Sequence, residues 1–177
     1  MDPNVSAILV SATAYSSDGP KLLKQVVQDI QQGMKLLTLS SVYKVKGTAI
    51  NPSHIHDLRS VTTFEGLSVV MQLETDLAPL EVLELLRKIE LLRKSELLHR
   101  NISLNLLFFE DMTYMTPELT LPHPDFHLRP ELVIPAAEIW GERHHPVLGV
   151  SLSQLTRSFQ NREWGEFFAQ GQSLLDF

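Results

Sequence analysis

The chain opens with a short apolar run, residues 5–13 (VSAILVSAT), in which β-branched residues recur, the signature of a buried strand. The polar turn SSDGP follows. Beyond it Leu22, Leu23, Val26, Val27, Ile30 and Met34 recur at steps of three and four, which places one apolar stripe on a helix, with Gly33 as its stop. Residues 35–46 (KLLTLSSVYKVK) predict a second strand. A polar loop over 47–63 leads to a third strand at 67–75 (LSVVMQLET). Asp76 is placed to cap a long helix that carries Pro79 in its first turn. Residues 100–109 (RNISLNLLFF) predict a fourth strand. Side chains alternate across a strand, so Asn101, Ser103 and Asn105 share one face, and Ile102, Leu104, Leu106 and Phe108 the other.

The order strand–helix–strand–strand–helix–strand is the split βαβ pattern. It predicts an α+β, ferredoxin-like fold with both crossover helices on one face of an antiparallel sheet. The opposite face is left for C-terminal elements or for a ligand, and the odd-numbered residues of the fourth strand point to it. The rest of the chain predicts a turn near 110–115, an extended piece to 121, and a Pro-rich link. A helix follows at 130–140, broken at Pro135, then a short helix at 150–159. One domain over 1–177 is expected, with 160–177 as a tail that docks as a broken helix or frays.

The second helix has its own periodicity. ELLRKI, ELLRKS and ELLHRN repeat a six-residue unit over 84–101. Six residues turn a helix through about 600°, so successive leucine pairs do not stack on one stripe. The unit reads as a local duplication. Its leucines also wrap further around the helix than one core can cover, which offers the 84–100 helix as a surface for a protein partner or for self-association.

Composition narrows the function classes. A net charge of −6 over 177 residues argues against nucleic acid as a partner. The chain has no cysteine, so disulfides, zinc thiolates, iron–sulfur clusters and a cysteine nucleophile are excluded. No apolar run approaches the ~20 residues needed to span a bilayer, and no leader pattern opens the chain, so a cytoplasmic protein without membrane contact is expected. Phosphate-loop, nucleophile-elbow, zincin and EF-hand signatures are missing from the sequence. His54, His56 and Asp57 form a weak metal candidate in the loop, and the His144–His145–Pro146 segment reads as a turn.

The richest segment is 119–130 (LTLPHPDFHLRP). Pro122 and Pro124 hold the backbone extended around His123, and Arg129 follows at the mouth of a helix. A histidine and an arginine on a rigid loop suit a phosphate through charge-assisted hydrogen bonds. The alternative is a structural loop in which Arg129 pairs with Asp125 or Glu131.

From SSVYKV, LETDLAPLEVLELLRKIE, the strand after Arg100, LPHP with Arg129, VIPAAEIW and HPVLG, in that order, the chain resembles the hydroxymethyldihydropterin pyrophosphokinase family. These enzymes of folate synthesis move a diphosphate from ATP to a pterin alcohol. The resemblance implies a ferredoxin-like fold, ATP and Mg2+ as cofactors, and a nucleotide or pterin-like small molecule as ligand. It places nucleotide contacts at Arg100, Thr120, His123 and Arg129. The family's two magnesium-binding aspartates align with Ser103 and Asn105, and its pterin pocket aligns with Gly66, Ser68 and Glu131. At these last five positions the family's residues are replaced. The first strand's Gly-Ser-Asn is also replaced, by Ser11-Ala12-Thr13, while Glu90 is kept.

The expectation is a divergent family member that has lost catalysis and keeps weak nucleotide binding or a regulatory, scaffolding role, with no catalytic residue assigned. Two further readings stand beside it. One is an active diphosphotransferase with a metal site rebuilt from Glu110, Asp111 or Glu131. The other is an unrelated ferredoxin-like interaction module.

Overall fold

The computed structural model describes residues 4–16, 18–48, 63–94 and 102–176. Strand β1 (Ser6–Ala14) is central and buried along most of its length. It pairs antiparallel with β4 (Thr63–Thr75) on one side and with β5 (Ile102–Phe109) on the other. Beyond β4 lie β2 (Lys35–Leu39) and β3 (Val42–Thr48), both paired with it, and β8 (Gly165–Ala169) pairs with β3. The order β5-β1-β4-β3 is that of a ferredoxin-like sheet, and β8 extends its edge.

Helices α1 (Gly19–Gln31) and α2 (Pro79–Leu92) cover one face, as the stripes predict. There Ile8, Val10 and Ala12 of β1 meet Val69, Met71 and Leu73 of β4, Leu104 of β5, Leu23 and Val27 of α1, and Leu86 of α2. The other face is covered in part by α3 (Pro130–Trp140) and α4 (Leu152–Thr156). Leu9, Val70, Leu107 and Phe108 pack there against Phe126, Leu132, Val133, Ala136, Trp140 and Leu152.

Several sequence expectations are corrected. The run 35–46 is two strands, broken at Ser40. There the Ser40 Oγ accepts the Val70 N–H at 2.9 Å, in the place of a backbone carbonyl, so the ladder is kept while the strand bends. Helix α2 is capped at Ala78 rather than Asp76: the Ala78 N–H donates to Glu81 Oε2 at 2.7 Å, and Thr75 Oγ1 accepts the Leu77 N–H. It ends at Leu92, short of the 84–100 span, and residues 95–101 lie outside the described part. Pro135 does not break α3, because Leu132, Val133, Ala136 and Trp140 are buried along the same helix. Their burial outweighs the roughly 3 kcal/mol that an internal proline costs.

The tail is neither a docked helix nor frayed. It forms β8 and then a 3-10 turn at Gly171–Leu174 that seats Leu174 in the core. That turn passes so close to the break at Ser40 that a Cβ on Gly171 would lie 2.1 Å from the Ser40 carbonyl oxygen. Finally, β5 shifts register: Leu106 faces Val10, but Phe108 faces Leu9, leaving Leu107 as an inserted residue. Phe108 therefore joins Leu107 under α3, on the face opposite Leu106.

Candidate functional site

Beyond the reach of α3 and α4, the second face of the sheet changes character. Register puts Thr13 of β1 opposite Ser68 of β4 and Ser103 of β5, and Ser11 opposite Asn105. Cross-strand partners share a face, so these five side chains form one polar floor. Thr13 Oγ1 and Ser68 Oγ lie 3.0 Å apart and are buried, and Asn105 Nδ2 donates to Ser103 Oγ at 3.5 Å. The Ser11 hydroxyl is fully buried without a hydrogen-bond partner among the described residues. Gly66, two residues before Ser68, lies under the ring of Tyr15 and the methyl of Thr13. A Cβ there would sit 3.0 Å from each. The space where the resemblance places an aromatic side chain at 66 is thus occupied by Tyr15.

The loop after β7 (Thr120–Leu121) borders this floor. β7 forms a two-stranded hairpin with β6 (Tyr114–Met115), and Thr120 lies opposite Met115. The inserted Leu107 uses its carbonyl to accept the His123 N–H at 2.9 Å, which fixes the loop beside β5, two residues beyond Asn105. His123 Nδ1 accepts the Asp125 N–H at 3.3 Å. Burial lowers the His123 pKa, the Arg129 charge lowers it further, and Asp125 opposes them in part. Arg129 precedes α3, and its Nε donates to Glu131 Oε1 at 2.7 Å. The pairing of Arg129 with Glu131 that spacing left open is therefore present. Arg100 lies outside the described residues, as do His54, His56 and Asp57.

Next to the loop a cavity of about 370 Å³ is lined by Tyr114, Leu121, His123, His127, His145 and Leu148. His145 forms a turn, not a ligand pair with His144: its Nδ1 accepts the N–H groups of Val147 and Leu148 at 3.3 and 3.2 Å. Its ring stands edge-on to Phe108, with centroids 5.6 Å apart. Burial is the main cause of its lowered pKa, with His127 adding to it.

The magnesium pair that the resemblance implies does not fit this floor. Magnesium is held through carboxylates, and Ser11, Thr13, Ser68, Ser103 and Asn105 offer only neutral oxygens. Among the described residues no three His, Asp or Glu side chains converge as a metal site. Glu110 follows β5 at its other end, roughly 15 Å of strand from Asn105. It is occupied there: its side chain accepts the Ala7 N–H and stands 3.7 Å from Arg143. Asp111, one residue further on, is exposed in the turn.

Glu90 holds the floor in place. It accepts the Leu104 N–H at 2.8 Å from α2 and pairs with Arg87 at 2.9 Å, so it tethers the strand that carries Ser103 and Asn105. On the far side of β4, Tyr43 donates to Glu138 of α3, whose other oxygen accepts the Ser41 N–H at 2.9 Å. Burial and Glu138 push the Tyr43 hydroxyl up to about 12.

A family model described as 7,8-dihydro-6-hydroxymethylpterin-pyrophosphokinase matches residues 11–141. A 2-amino-4-hydroxy-6-hydroxymethyldihydropteridine pyrophosphokinase of Synechocystis is 33% identical over 87 residues, 47% of this chain and 45% of that protein. One of the same name from Haemophilus influenzae is 30% identical over 110 residues, 59% of this chain and 61% of its own. The chain thus aligns with less than two thirds of either relative. Among solved structures, wild-type Plasmodium falciparum HPPK-DHPS with pteroate superposes with a TM-score of 0.71 at 14% identity, covering 89% of this chain and 43% of that one. A second wild-type structure of that protein gives 0.69 at 13%, covering 89% and 45%. These structural likenesses bear on the fold alone. The family match overturns the reading of an unrelated interaction module.

Proposed function

Because the chain belongs to the 7,8-dihydro-6-hydroxymethylpterin-pyrophosphokinase family, we propose that it is a member in which diphosphate transfer from ATP has been lost and the cleft persists as a binding surface. The observation that carries this reading is the uncharged floor: Ser103 and Asn105 face the cleft beside Ser11, Thr13 and Ser68, with no carboxylate among them. Phosphoryl transfer gains most of its acceleration from charge fixed around the phosphates, so a floor without metal ligands removes the largest contribution. The pterin side has changed as well. Gly66 and Glu131 cannot stack on a ring, and Tyr15 fills the space over Gly66. The reading of an active enzyme with a rebuilt metal site is disfavoured, because Glu110 and Glu131 already have partners and Asp111 is exposed in the turn at the other end of β5.

The decisive assay incubates the purified protein with ATP, Mg2+ and hydroxymethyldihydropterin and measures AMP. The expected result is no AMP above the protein-free control. AMP formation that disappears in His123→Ala and Arg129→Ala would overturn the proposal.

A further inference from the structure

We propose that Glu131 is a specificity-determining residue, a built-in counter-ion that occupies Arg129 and closes the His123–Arg129 loop to phosphate anions. This goes beyond the loss of transfer, since a chain lacking only its metal ligands could still bind a diphosphate through Arg129.

Two features of this loop would draw an anion: the Arg129 guanidinium and the N-terminus of α3, an eleven-residue helix with Pro130 in its first turn. Glu131 answers both. It lies in the first turn of α3, where a carboxylate is favoured by the helix dipole, and its Oε1 takes the Arg129 Nε at 2.7 Å. Proline fixes the backbone between the two charged residues, so the pairing needs little ordering. The side chains are 39% and 26% exposed, so an incoming anion must compete for a guanidinium that is already engaged and only partly open to water. Among the described residues, Arg129 is the one cation that acts on His123. Asp125 stands beside His123 and acts on it electrostatically, which sets two carboxylates against one guanidinium. His123 adds no compensating charge at neutral pH, because its imidazole is held in the neutral form by burial and by Arg129.

The test is calorimetric titration with inorganic pyrophosphate in low salt, without magnesium or pterin, so that its outcome is separate from that of the transfer assay. Glu131→Gln keeps the shape of the side chain and removes its charge. It is expected to bind pyrophosphate at least about tenfold more tightly than the parent, the scale of one charge-assisted hydrogen bond. The double variant Glu131→Gln/Arg129→Gln is expected to return to the parental level. In nitrogen-15 NMR spectra the Arg129 Nε–H signal should move between the parent and Glu131→Gln, and move again when pyrophosphate is added to the variant. No gain in affinity, a gain that survives in the double variant, or an Nε–H signal unchanged by Glu131→Gln would each overturn the proposal.

Discussion

Ser103 and Asn105 stand two residues apart on β5, the spacing at which two side chains share one face of a strand. That spacing makes them the sharpest probe of the floor. Ser103→Asp/Asn105→Asp should bring Mg2+ binding into the measurable range and lower the urea midpoint when the ion is removed, because two like charges then face each other unscreened. Titration of unfolding with and without Mg2+ checks both. If the ion gives no stabilisation, β5 does not face the cleft in this register. This polar face was legible in the sequence, because alternation alone separates Asn101, Ser103 and Asn105 from their neighbours. Alternation did not reveal Thr13, Ser68 and Tyr15, although the resemblance places Ser68 in the pterin pocket and Thr13 at the end of the replaced first-strand motif. Their meeting depends on the register between β1 and β4, and nothing in either strand's own composition states it. The serine and threonine among the apolar residues of β1 were the available signal, and they read equally well as small core residues.

Elements that bury a regular stripe were readable from their period, and those held by particular contacts were not. Helix α1 and strand β5 as far as Leu106 belong to the first kind, whereas the inserted Leu107 puts Phe108 on the face opposite the one alternation predicts. The break at Ser40, the continuation of α3 through Pro135 and the strand β8 belong to the second. β8 is five residues long and exposed along most of it, so no alternation marks it. It is positioned by pairing with β3 and by the rings of Trp164 and Phe167 against Tyr43, at centroid distances of 4.9 and 6.4 Å. The end of α2 is held the same way. Arg93 donates through Nε and Nη2 to the two oxygens of Asp29 on α1, both at 2.7 Å, in a pair that is 26% and 12% exposed. The first unit of the repeat buries Leu86 and Ile89, but Leu91 and Leu92 of the second are 70% and 69% exposed, and Arg93 ties the helix end to its neighbour. Arg93→Ala leaves Asp29 without its partner in a nearly buried position. It should cost about 1–3 kcal/mol, read as a lower urea midpoint with an unchanged slope.

On the scale of the molecule, one sheet serves two faces with different tasks. The α1–α2 face carries the larger apolar core, whereas the other is half core and half cleft. The boundary between core and cleft carries the half-buried His123 and the buried His145, and it sets a pH dependence. His123 and His145 both have pKa values lowered from the usual 6.5. The unfolded chain therefore binds protons before the folded one does. Their contribution to stability is complete above the unfolded value and is lost as pH falls through the folded values. Protonating His145 also replaces the Nδ1 acceptor of the Val147 and Leu148 N–H groups with a third donor. The urea midpoint should thus decline below about pH 6.5. His145→Gln should be less stable at neutral pH and show a shallower decline, and an equally steep decline would remove His145 from this account. No helix among the described residues is long and apolar enough to cross a membrane. The inserted Leu107 then divides β5 into two half-strands glued out of phase. Upstream of it, odd positions face the cleft; downstream, the same parity turns inward to the helices. Positions 103, 105 and 109 thus share parity but not surroundings, so the chemistry offered by the cleft half can change without altering what Phe109 packs against.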